Sequence, residues 1–249
     1  MAVEPSVQKS TRLPDAHGKE LAIRPPRTVD RQTRRQAFAT DVHRRSCNMD
    51  TLAETTTIRN VSTSVEDQCN AALTIGFATC PLLRFIYPEP ERYLEHFKGF
   101  VKAYCGEPYR YGSGAYIPDG VKGTILWQTP DEHGDHDELV DFLVKTTLPA
   151  HRDDVRRLFD RFYQHHPKEP YFYVSVIAVD PYFQRQGLGT ALFRHMLQLP
   201  DRAGNVSYLE ATTVGSARLY GTLGWKVVDE VQVGNSPVYY PMIREPQDR

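Results

Sequence analysis

The chain has 249 residues and a formal net charge of -1 at pH 7, from 30 basic and 31 acidic side chains. A balance this close to neutral gives no electrostatic reason for binding nucleic acid or an anionic membrane surface, so we expect neither partner. No apolar run reaches the roughly 18 residues of a membrane span, and the first residues lack the apolar centre of a secretory signal, so we predict a cytoplasmic protein.

Residues 1–50 differ in composition from the rest of the chain. Prolines interrupt any helix, aromatic residues are nearly absent, and arginines cluster between Arg31 and Arg45. This composition predicts a largely disordered basic extension, followed by one folded domain over residues 51–249. A targeting role for the extension stays open, although its acidic residues argue against a transit peptide.

The first half of the predicted domain mixes extended and helical patterns. β-Branched residues predict a strand over residues 55–60, and Ser64 is a candidate cap for the helix that follows. Pro118-Asp119-Gly120 has the composition of a tight turn, which predicts a hairpin from residues 111–117 and 121–127. Apolar residues at helical spacing predict helices over residues 65–79, 91–104 and 151–165.

The acidic run over residues 131–138 superficially resembles a set of metal ligands. Its side chains are too close together in sequence to define one coordination geometry, so we predict a solvated loop and no metal. The cysteines lack a Cys-x-x-Cys spacing and predict neither a zinc site nor a disulfide framework; they are Cys47, Cys69, Cys80 and Cys105.

The second half of the domain continues the alternation of strands and helices. Strands are predicted over residues 172–179, 208–212, 226–233 and 238–243. Helices are predicted over residues 191–199 and around Tyr220. Together with the first half, this pattern predicts a single α/β domain.

The most informative stretch is Gln184-Arg185-Gln186-Gly187-Leu188-Gly189-Thr190, which joins a predicted strand to a predicted helix. A helix that begins here presents backbone N–H groups without helical partners and the positive end of its dipole. Gly187 and Gly189 let an anion approach the backbone without meeting a Cβ, and Arg185 adds a positive charge. The stretch predicts a phosphate cradle. It lacks the motif of a nucleoside triphosphate loop and the spacing of a dinucleotide fingerprint.

This turn and the residues after it resemble the acetyl-coenzyme A site of the GNAT superfamily of N-acetyltransferases. Members carry Gln/Arg-x-x-Gly-x-Gly/Ala after the fourth strand, then a fifth strand, then a helix with Tyr-x-x-x-Gly-Phe. The corresponding stretches here are residues 184–189, 208–212 and 220–225. Within the superfamily, residues 123–130 and 165–170 are similar to puromycin N-acetyltransferases. The resemblance covers about residues 56–246, with Ser216 where many relatives have Asn and Trp225 where Phe is usual.

The resemblance implies a GNAT-type α/β fold, with a mixed, mostly antiparallel sheet of six to seven strands flanked by helices. It further implies that the fourth and fifth strands splay apart to form a cleft for acetyl-coenzyme A, the co-substrate, with no metal. One backbone N–H of the splayed fourth strand is expected to face the developing oxyanion. The expected coenzyme contacts are Ile177, Ala178, Val179, Gln184, Arg185, Gln186, Gly187, Leu188, Gly189, Thr190 and Ser216.

Tyr220 is the candidate general acid. The resemblance places it near the coenzyme sulfur, and a phenol with a pKa near 10 is protonated at neutral pH and able to protonate a thiolate leaving group. Packing of the ring in the core is the alternative.

Glu210 is the candidate general base. It shares one strand face with Tyr208, and a carboxylate in an apolar strand is costly unless it is paired. The alternative is a buried carboxylate held by a structural partner such as Arg218. Glu169 and His165 are weaker candidates for the base.

The residues predict transfer of an acetyl group from acetyl-coenzyme A to a primary amine of a small molecule, through a ternary complex. Tyr171, Tyr173, Trp127 and residues 85–87 either line an apolar acceptor pocket or pack in the core. Two other functions stay open, acetylation of a protein lysine or N-terminus and a silent acyl-coenzyme A sensor. The sequence also leaves open whether the protein is a monomer or a homodimer.

Overall fold

The computed structural model describes residues 13–14, 20–21, 56–132 and 134–247. The chain divides into two units, Met1–Asp41 and Val42–Arg249. In the first unit, Leu13–Pro14 pairs antiparallel with Glu20–Leu21. The predicted disorder of residues 1–50 otherwise falls outside the described ranges, as does Cys47, and the boundary at residue 51 stays a prediction.

One seven-stranded sheet organises the second unit. Its strands are β1 (Arg59–Asn60), β2 (Gly114–Ile117), β3 (Gly123–Gln128), β4 (Tyr171–Val179), β5 (Val206–Ala211), β6 (Lys226–Val227) and β7 (Tyr240–Arg244). Their order in the sheet is β1-β2-β3-β4-β5-β7-β6. Only β4 and β5 pair in parallel, and the other neighbours are antiparallel. The predicted mixed, mostly antiparallel sheet is confirmed.

Helices cover both faces of this sheet. In the described part of the chain the α-helices are α1 (Glu66–Phe77), α2 (Pro81–Ile86), α3 (Pro90–Cys105), α4 (Pro108–Tyr111), α5 (His136–Thr146), α6 (Arg152–Gln164), α7 (Leu188–Ala203) and α8 (Val214–Gly221). Buried residues of α1, α3, α5 and α6 form one core, and those of α7 and α8 form another. Among these residues, no helix is both long and apolar enough to cross a membrane.

A close approach of α1 to β4 depends on Gly76. A Cβ at this position would lie 2.5 Å from the Cβ of Ala178, a distance that real side chains do not tolerate. Glycine therefore lets the helix pack directly on the strand that carries the predicted coenzyme contacts. Gly76 is half-buried beside that contact.

The acidic run was predicted as a loop, and the structure corrects this prediction. Helix α5 begins within it, at His136, and the Asp135 side chain caps the helix by accepting hydrogen bonds from the backbone N–H groups of Asp137 and Glu138 at 2.8 and 3.1 Å. Acidic residues in a first turn also favour the helix dipole. The carboxylates of this run thus start a helix.

Smaller differences concern the ends of elements. Ser64 lies in a 3-10 turn before α1 and does not cap it, because α1 begins at Glu66 without a side-chain cap. The predicted strand over residues 226–233 is confirmed only for Lys226–Val227, after which one isolated bridge joins Val231 to Tyr239. The predicted hairpin is confirmed as β2 and β3, although the chain before β2 is helical in α4.

Candidate active site

The parallel strands β4 and β5 separate after a short ladder. Their pairing covers three residue pairs and ends at Tyr173 opposite Tyr208, whereas β4 continues to Val179 and β5 to Ala211. Beyond this point the edge of β4 that faces β5 has no partner in the ladder. The splay that the resemblance implied is therefore present in the sheet.

A bulge in β4 lies at the start of the opening. On β3, Leu126 pairs with Val176 and Trp127 with Val174, so Ser175 has no residue opposite it. The extra residue reverses the alternation of side chains along the strand. As a result Val174 packs with the α7 side of the sheet and Val176 with the α1 side.

A cleft of about 1150 Å³ passes through the opening. It is lined by both predicted catalytic residues and by every predicted coenzyme contact except Gln186; these are Glu210, Tyr220, Ile177, Ala178, Val179, Gln184, Arg185, Gly187, Leu188, Gly189, Thr190 and Ser216. Sequence positions from two strands, one turn and two helices thus meet in a single space.

The predicted phosphate cradle lies at the N-terminus of α7. Gly187 is the N-cap in the left-handed region (φ 80°), and Arg185 also has a positive φ of 64°. The hydrogen bond from Ala191 N to Gly187 O is 3.0 Å long and opens the helical ladder. The N–H groups of Leu188 and Gly189 precede it, so they point out of the helix end toward the cleft, as an anion site requires.

The turn before α7 is fixed to the end of β4, and the space at Gly189 is open. The Gln184 side chain donates to the carbonyl of Val179 at 3.0 Å, which ties the turn to the end of β4. A Cβ at Gly189 would lie 3.9 Å from Val179 Cγ2, an ordinary contact, so the protein itself does not require glycine there. The glycine instead leaves the space above the helix N-terminus open. These features fit a pyrophosphate group.

The N-terminus of α8 forms the facing wall. Thr213 caps this helix by accepting a hydrogen bond from Ser216 N at 3.0 Å, and the two hydroxyls lie 2.8 Å apart. Ser216 lines the cleft while it is fixed by this cap.

Tyr220 lies in the same wall, half-buried, with its ring 4.8 Å from that of Phe193. Burial raises the pKa of Tyr220 to about 12; a hydrogen bond with Ser216 opposes this change, and the nearby Cys80 thiol adds to it. The phenol is therefore fully protonated at neutral pH. Both predicted features are present, since the ring packs against α7 and the residue also borders the cleft.

Glu210 is a buried carboxylate, with 3% of its side chain exposed. Its Oε2 accepts a hydrogen bond from the Tyr173 hydroxyl at 2.7 Å and a longer one from Tyr104 at 3.5 Å, and the two tyrosine hydroxyls contact each other. Its Oε1 lies 3.3 Å from Nε2 of His166. Burial, and then the charge of Glu210, raise the pKa of both tyrosines well above its ordinary value, so both remain donors. Sequence reasoning had not predicted these partners.

The weaker base candidates lie away from this cluster. His165 Nε2 is 3.2 Å from a carboxylate oxygen of Asp229, and the pairing lowers the pKa of that carboxyl. Glu169 is exposed. Neither residue lines the cleft.

Aromatic side chains line the cleft on the α1 side of the sheet. They are Phe77, Phe100, Tyr104, Phe159 and Phe162, and sequence reasoning missed them. The spacing of Phe100 and Tyr104 on α3 places both on one helix face, a signal that was available. The residues predicted for this role do not line the cleft. Trp127 packs in the α7-side core, and Tyr173 supports Glu210.

Comparison with known proteins shows what the second half of the chain is similar to. The family model of the acetyltransferase (GNAT) domain matches residues 163–246, which include β4, the cradle, β5 and Tyr220. This part of the chain is therefore similar to the GNAT acetyltransferase domain, the domain of an acyltransferase. The narrower resemblance to puromycin N-acetyltransferases stays a prediction.

Solved structures share the fold. An acetyltransferase from Corynebacterium glutamicum, described as histone acetyltransferase HPA2 and related acetyltransferase, is 22% identical with a TM-score of 0.56, covering 78% of this chain and 98% of its own. A mosquito arylalkylamine N-acetyltransferase like 5b is 15% identical with a TM-score of 0.55, covering 76% and 99%. A Drosophila melanogaster polyamine N-acetyltransferase that forms N-acetylagmatine is 16% identical with a TM-score of 0.51, covering 76% and 99%.

Proposed function

We propose that the protein transfers an acetyl group from acetyl-coenzyme A to a primary amine of a small molecule, within a ternary complex. The observation that carries the proposal is one continuous cleft that connects the N-terminus of α7 to Glu210 through the opening between β4 and β5. Coenzyme and amine would enter from the two sides of the sheet. They would meet where the strands separate.

The coenzyme half of the cleft has the required groups. Backbone N–H groups at Gly187, Leu188 and Gly189 would hold the pyrophosphate, and Arg185 would add the one positive side chain among the residues that line the cleft. The pantetheine arm would lie along Ile177–Val179, beside the strand edge that has no ladder partner. A backbone N–H of that edge would stabilise the oxyanion, a contribution of about 3 kcal/mol per donor in other enzymes.

The proton chemistry would be divided between two side chains. Glu210 would accept a proton from the substrate ammonium, so that the free amine attacks the thioester carbonyl. Tyr220 would donate its proton to the sulfur as the carbon–sulfur bond breaks, and the tyrosinate would then take up the second proton, which the attacking nitrogen loses as the amide forms. A pKa near 12 makes Tyr220 a strong enough base, once ionised, to take up that proton readily.

The acceptor end favours a small amine with a single charge. Glu210 is the one carboxylate among the residues that line the cleft, and its neighbours there are aromatic rings. One buried carboxylate suits one ammonium group, and the rings suit an apolar body and make cation–π contacts. Two structural relatives are named for arylalkylamines and polyamines, which agrees with an amine acceptor.

Purified protein, acetyl-coenzyme A and a panel of amines, with release of the free thiol as the readout, test the proposal. The panel contains arylalkylamines, agmatine, a lysine peptide and a peptide with a free N-terminus. We expect thiol release with small amines and little with either peptide. Faster turnover of a peptide would favour a protein acetyltransferase. Binding of acetyl-coenzyme A without thiol release for any amine would favour a silent sensor and contradict the proposal.

A further inference from the structure

While substrates occupy the cleft, Glu210 has no open route through it for a proton to reach bulk solvent. Its side chain is 3% exposed, and its nearest hydroxyl, that of Tyr173, donates a hydrogen bond to its Oε2 at 2.7 Å. Each catalytic cycle under the proposed function leaves one proton on Glu210, because the substrate ammonium must become an amine. The proton has to leave before Glu210 can accept another, and a route on the side away from the cleft would be open even while substrates or products are bound.

His166 occupies the position between Glu210 and the surface. Its Nε2 lies 3.3 Å from Glu210 Oε1, an atom for which no described residue supplies a well-formed hydrogen bond. Its Nδ1 lies 2.7 Å from the Tyr171 hydroxyl on the opposite edge of the ring. Tyr173 and Tyr208 pack against the ring at centroid distances of 4.9 and 4.8 Å, which fixes its orientation. The side chain is 16% exposed, so water reaches it.

A second, smaller cavity begins where His166 is exposed. It has a volume of about 60 Å³, and its lining combines aromatic and aliphatic side chains with Gln128, Asp135 and His136. A cavity of this size with several polar groups in its wall has room for a few water molecules. Its wall of Tyr104, Phe159 and Phe162 is shared with the main cleft, so the two spaces are adjacent and separated by the Glu210–His166 contact.

We propose that His166 carries the substrate proton from Glu210 to water in the smaller cavity. The proposal rests on the proposed function, which supplies the proton. The protonated carboxyl of Glu210 passes its proton to Nε2, which restores the carboxylate and forms an imidazolium. The imidazolium then loses a proton to water, which restores the neutral ring. His166 thus acts through Glu210 and does not touch the substrate.

The geometry also explains why His166, and not its neighbour, has this role. His165 precedes it in sequence, but its ring faces the Asp229 carboxylate at the surface. It lines neither the main cleft nor the smaller cavity. His165 is therefore a matched control for the loss of one histidine side chain from the same segment.

Replacement of His166 by Ala tests the proposal with the small amine that wild-type protein acetylates fastest. We expect kcat to fall by about tenfold or more, with the KM for acetyl-coenzyme A nearly unchanged. Added imidazole should restore a large part of kcat, since it delivers protons from the vacated space to solvent. His165→Ala should retain kcat within about twofold and show no response to imidazole.

His166→Gln keeps polar bulk against the tyrosine rings and covers the case in which the alanine variant does not fold. It should show the same loss of kcat. Wild-type kcat in either folded variant, or a loss that imidazole leaves unchanged in the alanine variant, would overturn the relay. These outcomes require an active wild-type protein, so they are distinct from failure of the proposed function, in which wild-type protein releases no thiol.

Discussion

Replacing Tyr220 by Phe removes one hydroxyl from the wall of the cleft and keeps the ring that packs 4.8 Å from Phe193. The Ser216 hydroxyl loses that partner but keeps its contact with Thr213 at 2.8 Å. We therefore expect a stability loss of about 1 kcal/mol, the cost of one hydrogen bond. Binding of acetyl-coenzyme A should be nearly unchanged, since the cradle lies on another helix.

The expected loss of turnover is much larger than this stability change. Without the phenol, the thiolate has to leave unprotonated or take a proton from water, which lowers kcat by about 100-fold, or about 2.7 kcal/mol in activation free energy. Because burial raises the pKa of Tyr220 to about 12, the acid stays protonated through neutral pH and its activity is lost only as the pH rises through that value. The wild-type protein should therefore show no decrease in kcat from this group below about pH 10.

Steady-state thiol release and calorimetric titration with acetyl-coenzyme A measure the two effects separately. Tyr111→Phe is the matched control, because Tyr111 is 57% exposed and does not line the cleft. It should match wild-type protein in both assays. Normal kcat in Tyr220→Phe would refute the acid role and leave Tyr220 with a packing role only.

The cradle, the N-terminal extension and the buried tyrosines can each be tested by one change. Gly189→Glu should weaken acetyl-coenzyme A binding by about tenfold or more. The melting temperature should not change, because a Cβ at this position meets only Val179 Cγ2, at 3.9 Å. Unchanged calorimetric affinity would contradict the cradle assignment. A chain that begins at Met49 should keep its melting temperature and amine preference, and loss of turnover would show that residues 1–48 take part in the active domain. Burial raises the pKa of Tyr87 and of Tyr220 to about 12, so their contribution to folding stability should be complete below about pH 10 and decrease as the pH rises through 12. A melting temperature that stays constant over this interval while tyrosinate absorbance increases would contradict this prediction.

The turn between β4 and α7 was predictable because its signal is local, and its role as a phosphate cradle stays a prediction. Gly187 and Gly189 stand at the junction of a strand and a helix, and the physics of a helix N-terminus acts within one turn. Glu210 was predictable for a related reason, since a carboxylate in an apolar strand requires a partner. In both cases a few neighbouring residues carry the whole argument.

The partners of Glu210 were not predictable in this way. Tyr104 comes from α3, Tyr173 from β4 and His166 from the segment between α6 and β4, so only the packed sheet brings them together. Nothing in the sequence marks Ser175 as the bulge that reverses the faces of β4. Helix α5 is different, because Asp135 followed by apolar residues at helical spacing is a local capping signal that the sequence contains.

Mass analysis of the products most directly tests the central claim, that the cleft transfers acetyl from coenzyme A to a small amine. Purified protein is incubated with acetyl-coenzyme A carrying an isotopic label in the acetyl group and with an arylalkylamine. We predict that the label appears on the amine nitrogen, in an amount equal to the free coenzyme A formed. Label recovered only as acetate, on the protein itself, or entirely as unreacted acetyl-coenzyme A would contradict the account.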